Sequence, residues 1–121
     1  MLAVDVSNVS PHKIRVWETN NSWGWWNWRV VVIRSRSIFL VERNPDQEFT
    51  GNFRAYDELA VGQKKTKLLN MQDGDWICNR QKGFLFQKDD EILVIYHVSE
   101  TPESKTDRVW TGIVTAYYKN P

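Results

Sequence analysis

Residues 29–42 read Arg-Val-Val-Val-Ile-Arg-Ser-Arg-Ser-Ile-Phe-Leu-Val-Glu. They form either one helix or two strands. One continuous helix could cover them, but Val and Ile dominate, and β-branched side chains favour the pleated strand over the crowded helix turn. Two strands, 29–34 and 37–42, follow, with Arg34-Ser35-Arg36-Ser37 as the tight turn between them. The turn lacks the Asn-Gly or Asp-Gly pair typical of two-residue hairpins.

Working outward, residues 13–20 alternate Ile14, Val16 and Glu18 against Arg15, Trp17 and Thr19, a short strand that Asn20-Asn21-Ser22 ends. Residues 22–28 (Ser-Trp-Gly-Trp-Trp-Asn-Trp) follow no clean period. Residues 44–53, with Pro45 and Gly51, read as loop. Residues 55–61 read as a short helix ending at Gly62. Asp73-Gly74-Asp75 is a turn. Residues 91–98 are a nearly continuous apolar strand, buried on both faces by this reading. Residues 99–107 are a polar loop, and 109–118 a final strand with Gly112 inside it, where glycine suggests a bulge or bend. The expected fold class is α+β, mostly β: a small, strongly curved β-barrel of five or six strands with one or two short helices. The 121 residues fit one domain, 1–121.

Composition narrows the function. Net charge is +1, with 41% hydrophobic and 26% charged residues. That balance argues against non-specific coating of nucleic acid, which rests on phosphate neutralisation. A reader that makes a few phosphate contacts and holds one base remains open. The basic residues cluster as Arg29/Arg34/Arg36, Lys64/Lys65/Lys67 and Arg80/Lys82, each of which could equally be a solvated face. The single cysteine, Cys78, excludes a disulfide framework and a cysteine zinc site. His12 and His97 lack metal-ligand spacing, so no metal and no cofactor is expected. No apolar run has membrane-spanning length and the N-terminus shows no secretory pattern, so a cytoplasmic location is expected. No nucleophile elbow, phosphate-cradling glycine loop or paired His/Cys motif supports catalysis, and Asp89-Asp90-Glu91 reads as a solvated turn. Seven Trp are present, five of them (Trp17, Trp23, Trp25, Trp26, Trp28) within twelve residues.

The C-terminal half carries a resemblance. Trp76-Ile77-Cys78-Asn79-Arg80, Phe84-Leu85-Phe86, Lys88-Asp89-Asp90 leading into Glu91–His97, then Trp110-Thr111-Gly112-Ile113-Val114 and Tyr117-Tyr118 resemble, in order and spacing, the EVE domains and their YTH relatives of the PUA-like superfamily. The usual Gly-Asp turn is Asp89-Asp90 here. A weaker resemblance, to ASCH domains, lies in Gly62-Gln63-Lys64-Lys65-Thr66 followed by Asp73-Gly74-Asp75. The resemblance implies a PUA-like barrel that holds a flipped, methylated or otherwise modified base in an aromatic pocket. It further implies a specificity module of a modification-dependent restriction system, with DNA favoured over RNA as partner and a larger restriction or effector protein as a second partner. An RNA-binding PUA- or ASCH-like protein is the alternative, and a protein-interaction module using the Trp cluster is the rival from another class.

The physics suits such a reader. Stacking on an aromatic ring is worth about 1–3 kcal/mol per base, base extrusion costs a few kcal/mol, and a buried methyl adds about 0.8 kcal/mol. By the resemblance Trp76 opens the pocket, Cys78 and Asn79 read the base edge, and Arg80 and Lys82 face the nucleic-acid backbone together with Lys64 and Lys65. Trp17, Asn20 and Trp23 would form the opposite wall, and Tyr96 would point in from the apolar strand. Each aromatic has a core alternative: Trp76 as an anchor at a turn, Trp110 as a strand residue, and at least one of Trp25, Trp26 and Trp28.

Overall fold

The structure, a computed structural model, describes residues 1–49 and 51–121. Thr50, within the expected loop 44–53, lies outside the described residues. The chain divides into two compact units, Met1–Trp25, Phe49–Asn70 and Val98–Gly112 in one, Trp26–Glu48, Met71–His97 and Ile113–Pro121 in the other. The architecture is mostly β. Hydrogen bonding joins the described strands into three separate sheets of two, six and two strands, none of them a closed barrel.

In the first unit β1 (Leu2–Ser7) pairs antiparallel with β6 (Lys64–Leu69), and β2 (Ile14–Trp17) with β5 (Tyr56–Leu59). The strand β1, in which Leu2, Val4 and Val6 alternate with exposed residues, is not among the strands expected from the sequence. The helix expected over 55–61 is the strand β5. So short a helix is marginal by itself, whereas as a strand the segment sets Tyr56 opposite Trp17 and Leu59 opposite Ile14. Conversely, the loop expected over 99–107 contains a helix, α1 (Pro102–Asp107). Its start is written in Thr101-Pro102-Glu103-Ser104: the Thr101 hydroxyl accepts from the Ser104 amide at 3.0 Å and the Ser104 hydroxyl from the Thr101 amide at 2.8 Å. That reciprocal box satisfies two donors the first turn would leave open, and proline tolerates the first helical position.

Two buried asparagines organise the irregular segments of this unit. Asn8, 1% exposed, donates to the carbonyls of His12 and Leu59 and accepts from both the amide and the hydroxyl of Ser10. Asn21, also 1% exposed, accepts at its side chain from the amides of Trp23 and Gly24. Its carbonyl accepts from the Trp25 amide. This caps the turn that leads into the 3-10 segment Trp25–Asn27, which is why the Trp-rich segment has no strand period. Gly24 allows the turn to close: a Cβ there would stand 1.8 Å from the Glu18 carbonyl oxygen.

The second unit is the six-stranded sheet, in the order β10 (Gly112–Lys119), β9 (Glu91–Val98), β3 (Trp28–Arg34), β4 (Ser37–Arg43), β7 (Trp76–Cys78), β8 (Gln81–Lys82). The hairpin read from residues 29–42 is present, with Ser35 at a φ of 53° in its two-residue turn. Alternation fixes the buried face. Val30 lies opposite Val41 on one side and Val94 on the other, and Val32 opposite Ile92. Trp28 lies opposite Tyr96 with ring centroids 4.4 Å apart. These side chains are nearly or fully buried. Burial of β9 is one-sided rather than two-sided: Ile92, Val94, Tyr96 and Val98 are buried, while Glu91, Leu93, Ile95 and His97 are half-buried. The final strand begins at Gly112 rather than enclosing it, and from Ile113 to Lys119 it is exposed on both faces.

Candidate functional site

The buried face of the large sheet ends at the β3–β4 hairpin in side chains that are not aliphatic. By strand parity Arg34 shares the face of Val30 and Val32, Phe39 that of Val41, and Cys78 that of Trp76. The loop after β8 passes over this end. Gly83 lets it do so, at a φ of 83° and with its backbone so close to residue 72 that a Cβ would stand 2.7 Å from the Gln72 carbonyl oxygen. The Phe84 amide then bonds the Met71 carbonyl at 2.6 Å. Phe84 meets Phe39 with centroids 5.7 Å apart and Phe86 at 5.6 Å. The Arg34 guanidinium lies over both rings, 5.2 Å from Phe39 and 5.3 Å from Phe84.

Arg34 is held by Asp90, which is 0% exposed. Nε donates to one carboxylate oxygen and Nη2 to the other, each at 2.8 Å, and Nη2 reaches the Leu85 carbonyl at 3.1 Å. The Gln87 amide donates to the same carboxylate at 2.8 Å. The Arg34 hydrogen bonds hold the Asp90 carboxyl below the usual carboxylate range against the opposing effect of burial, and the Gln87 amide adds to them. The residue expected to be solvated is thus the anchor of the site.

The result is an open cleft of about 350 Å³ lined by Arg34, Phe39, Phe84 and Leu85, by Asn79, Gln81 and Gln87, and by Cys78 and Gly83. Burial pushes the Cys78 thiol up, against the pull of the Arg34 charge, so the thiolate needed for nucleophilic chemistry is disfavoured. The turn from β7 to β8 is two residues long, with Cys78 opposite Gln81. Asn79 (φ 51°) and Arg80 (φ 66°) are both left-handed. Two-residue hairpins want this geometry and favour Asn followed by Gly. Arginine in the glycine position costs about 1 kcal/mol of backbone strain, and its side chain is exposed at the turn. Neither Arg80 nor Lys82 makes an ion pair among the described residues.

Of the residues expected to form a base pocket, Cys78 and Asn79 line this cleft; of those expected to face the nucleic-acid backbone, Arg80 lies in the turn between β7 and β8, and Lys82 lies in β8 opposite Ile77, on the face away from Cys78. Trp76 is 1% exposed, with the Arg43 guanidinium 4.4 Å from its ring centroid. Its ring is in the core. Tyr96 is 5% exposed against Trp28. The others belong to the first unit. Trp17 is 2% exposed and tilted against half-buried Trp23 at 6.1 Å, and Asn20 is exposed. Lys64 pairs with Asp5 at 3.5 Å, and Lys65 with Asp57 at 2.6 Å. The sequence reading missed Arg34, Phe39, Phe84 and Gln87 as site residues. Phe84 stood in the quoted motif without a role, and Arg34 read as a turn charge. Nothing local announces that a hairpin tip and a loop fifty residues later close over one carboxylate.

No group of His, Cys, Asp and Glu among the described residues could hold a metal ion. No helix of the described residues is long and apolar enough to cross a membrane. No family model, curated protein or solved structure matches this chain.

Proposed function

We propose that the Arg34–Phe39–Phe84 cleft holds one base of a nucleic acid, and that the protein is a binding module rather than a catalyst. The observation that carries this is the juxtaposition of two aromatic rings with three side-chain amides and a strained, unpaired arginine at the turn tip. Phenylalanine faces accept any base by stacking. The amides of Asn79, Gln81 and Gln87 supply donors and acceptors for a base edge. Arg80 and Lys82 supply phosphate contacts, few enough to suit a chain of net charge +1. Kinship with the PUA-like EVE and YTH domains and their strongly curved barrel, preference for DNA over RNA, recognition of a methylated base and service to a prokaryotic, cytoplasmic restriction system belong to the same proposal. They rest on the motif order after residue 76.

The test is fluorescence anisotropy of labelled short oligonucleotides, with and without methylated adenine or cytosine. The wild type binds, and Phe84→Ala weakens binding by the loss of one stack, about 1–3 kcal/mol or roughly 5- to 150-fold. Asn79→Ala narrows the difference between modified and plain bases. Unaltered affinity in Phe84→Ala, or no binding of any oligonucleotide at low salt, sinks the proposal.

A further inference from the structure

The two edges of the large sheet differ. One is β8, two residues long and carrying Lys82, the short charged edge by which proteins block unwanted pairing. The other is β10, eight residues long, with no charge before Lys119 and no proline. Ile113 is 63% exposed and Tyr117 62%. An edge of this kind is a template for another strand.

We infer that β10 pairs antiparallel with β10 of a second copy of this chain, joining two six-stranded sheets edge to edge about a two-fold axis. The sequence of the strand specifies the register. The Tyr117 hydroxyl donates to the Glu91 carboxylate at 2.9 Å, and Glu91 lies on the face opposite to buried Ile92. Alternation therefore puts Ile113, Thr115 and Tyr117 on that outer face and Val114, Ala116 and Tyr118 on the other. A two-fold axis normal to the sheet keeps each face continuous, so opposed residues must share a face. Centring the pair on Thr115 sets Thr115 against its own copy, Ile113 against Tyr117, Val114 against Ala116 and Gly112 against Tyr118.

Three of these four pairs are favourable, and the fourth, Val114 against Ala116, brings no clash of size or charge. Threonine pairs and aromatic-to-β-branched pairs are among the cross-strand contacts that stabilise sheets, and an aromatic ring covers the glycine it faces. Charge agrees with the register. Lys119 falls just past the paired segment, and the two copies of it stand at opposite ends, about 27 Å apart at about 3.4 Å per residue. That is well beyond the screening length of about 8 Å. Moving the centre to Ala116 would set Lys119 against Ile113 and Thr115 against Tyr117. A single strand edge buries less than the roughly 1,600 Å² of a standard interface, so the dimer is a weak one, with dissociation in the micromolar range.

Sedimentation of the full chain from about 1 to about 300 μM brackets that range. The weight-average mass should rise across it from near that of one chain toward that of two, about 1.7-fold for a Kd near 20 μM. Thr115→Lys and Thr115→Glu each put like charges face to face at the axis, with Cβ atoms about 5 Å apart. Each variant alone should stay monomeric with its melting temperature unchanged, because Thr115 is exposed in the single chain. An equimolar mixture of the two should recover the dimer. A wild type that remains monomeric throughout, a Thr115→Lys chain that dimerises as the wild type does, or a mixture that fails to recover would each overturn the inference.

Discussion

Asp90→Asn is the perturbation that probes the site's anchor. It keeps shape and removes charge. The carboxylate accepts three hydrogen bonds, two from Arg34 and one from the Gln87 amide. An asparagine can accept at only one atom, and its NH₂ would point at a donor. Removing one partner of a buried ion pair costs about 3–5 kcal/mol. Arg34 is 24% exposed and recovers some hydration, which places the loss near the lower bound, about 3 kcal/mol or roughly 10 °C in melting temperature. Arg34→Met should cost at least as much at pH 7, because it strands a carboxylate that is 0% exposed. Its cost should shrink as the pH falls and the carboxyl protonates. In the wild type the sign is the reverse. The folded carboxyl titrates below its unfolded value of about 3.9, so its contribution is complete above that pH and is lost as the pH drops through the lowered folded value. Urea unfolding of the two single variants and the double variant closes a thermodynamic cycle. The double variant should lose about 2 kcal/mol less than the sum of the singles. Additivity within about 0.5 kcal/mol would refute the anchor.

Three further outcomes follow from particular contacts. Gly24→Ala should cost several kcal/mol or prevent folding, far beyond the roughly 0.5–1 kcal/mol gain of an ordinary Gly→Ala change, because its Cβ meets the Glu18 carbonyl oxygen; near-native thermal stability would contradict that contact. Arg80→Gly should raise stability by about 1 kcal/mol in urea melts by relieving the left-handed turn. In the same protein oligonucleotide affinity should fall and the salt dependence of binding flatten by about one phosphate contact, and an unchanged salt slope would remove Arg80 from the interface. Trp76→Ala should lower stability by about 3–5 kcal/mol, as for a core aromatic, and a fully stable variant would return Trp76 to the surface.

The large sheet was legible because its signal is local. A β-branched run, a short polar turn and a second apolar run specify β3 and β4, and the apolar stretch from residue 91 specifies β9. Residues 55–61 misled because Ala, Glu and Leu suit a helix in isolation, while the partner that makes them a strand, Ile14–Trp17, lies forty residues earlier. The helix in the loop was missed for the opposite reason: its signal is a capping box in a polar stretch, without apolar period. The site divided in the same way. Asn79, which lines the cleft, stands out in the sequence because it follows a strand within one motif. The tryptophan preceding Asn79 drew the reading by its size, yet β7 buries it, and the rings that line the cleft are two phenylalanines forty-five residues apart. Ring identity is visible in a sequence. Which face of the sheet a ring occupies depends on register, and register depends on a turn that a sequence marks weakly.

By the proposed function a base enters the cleft lined by Arg34, Phe39 and Phe84. Intermolecular nuclear Overhauser contacts between a bound short oligonucleotide and the protein test it most directly. The account predicts contacts from base protons to the ring protons of Phe39 and Phe84, with shift changes in the side-chain amides of Asn79 and Gln81. A bound oligonucleotide whose contacts all lie elsewhere, leaving those two rings unmoved, would contradict it.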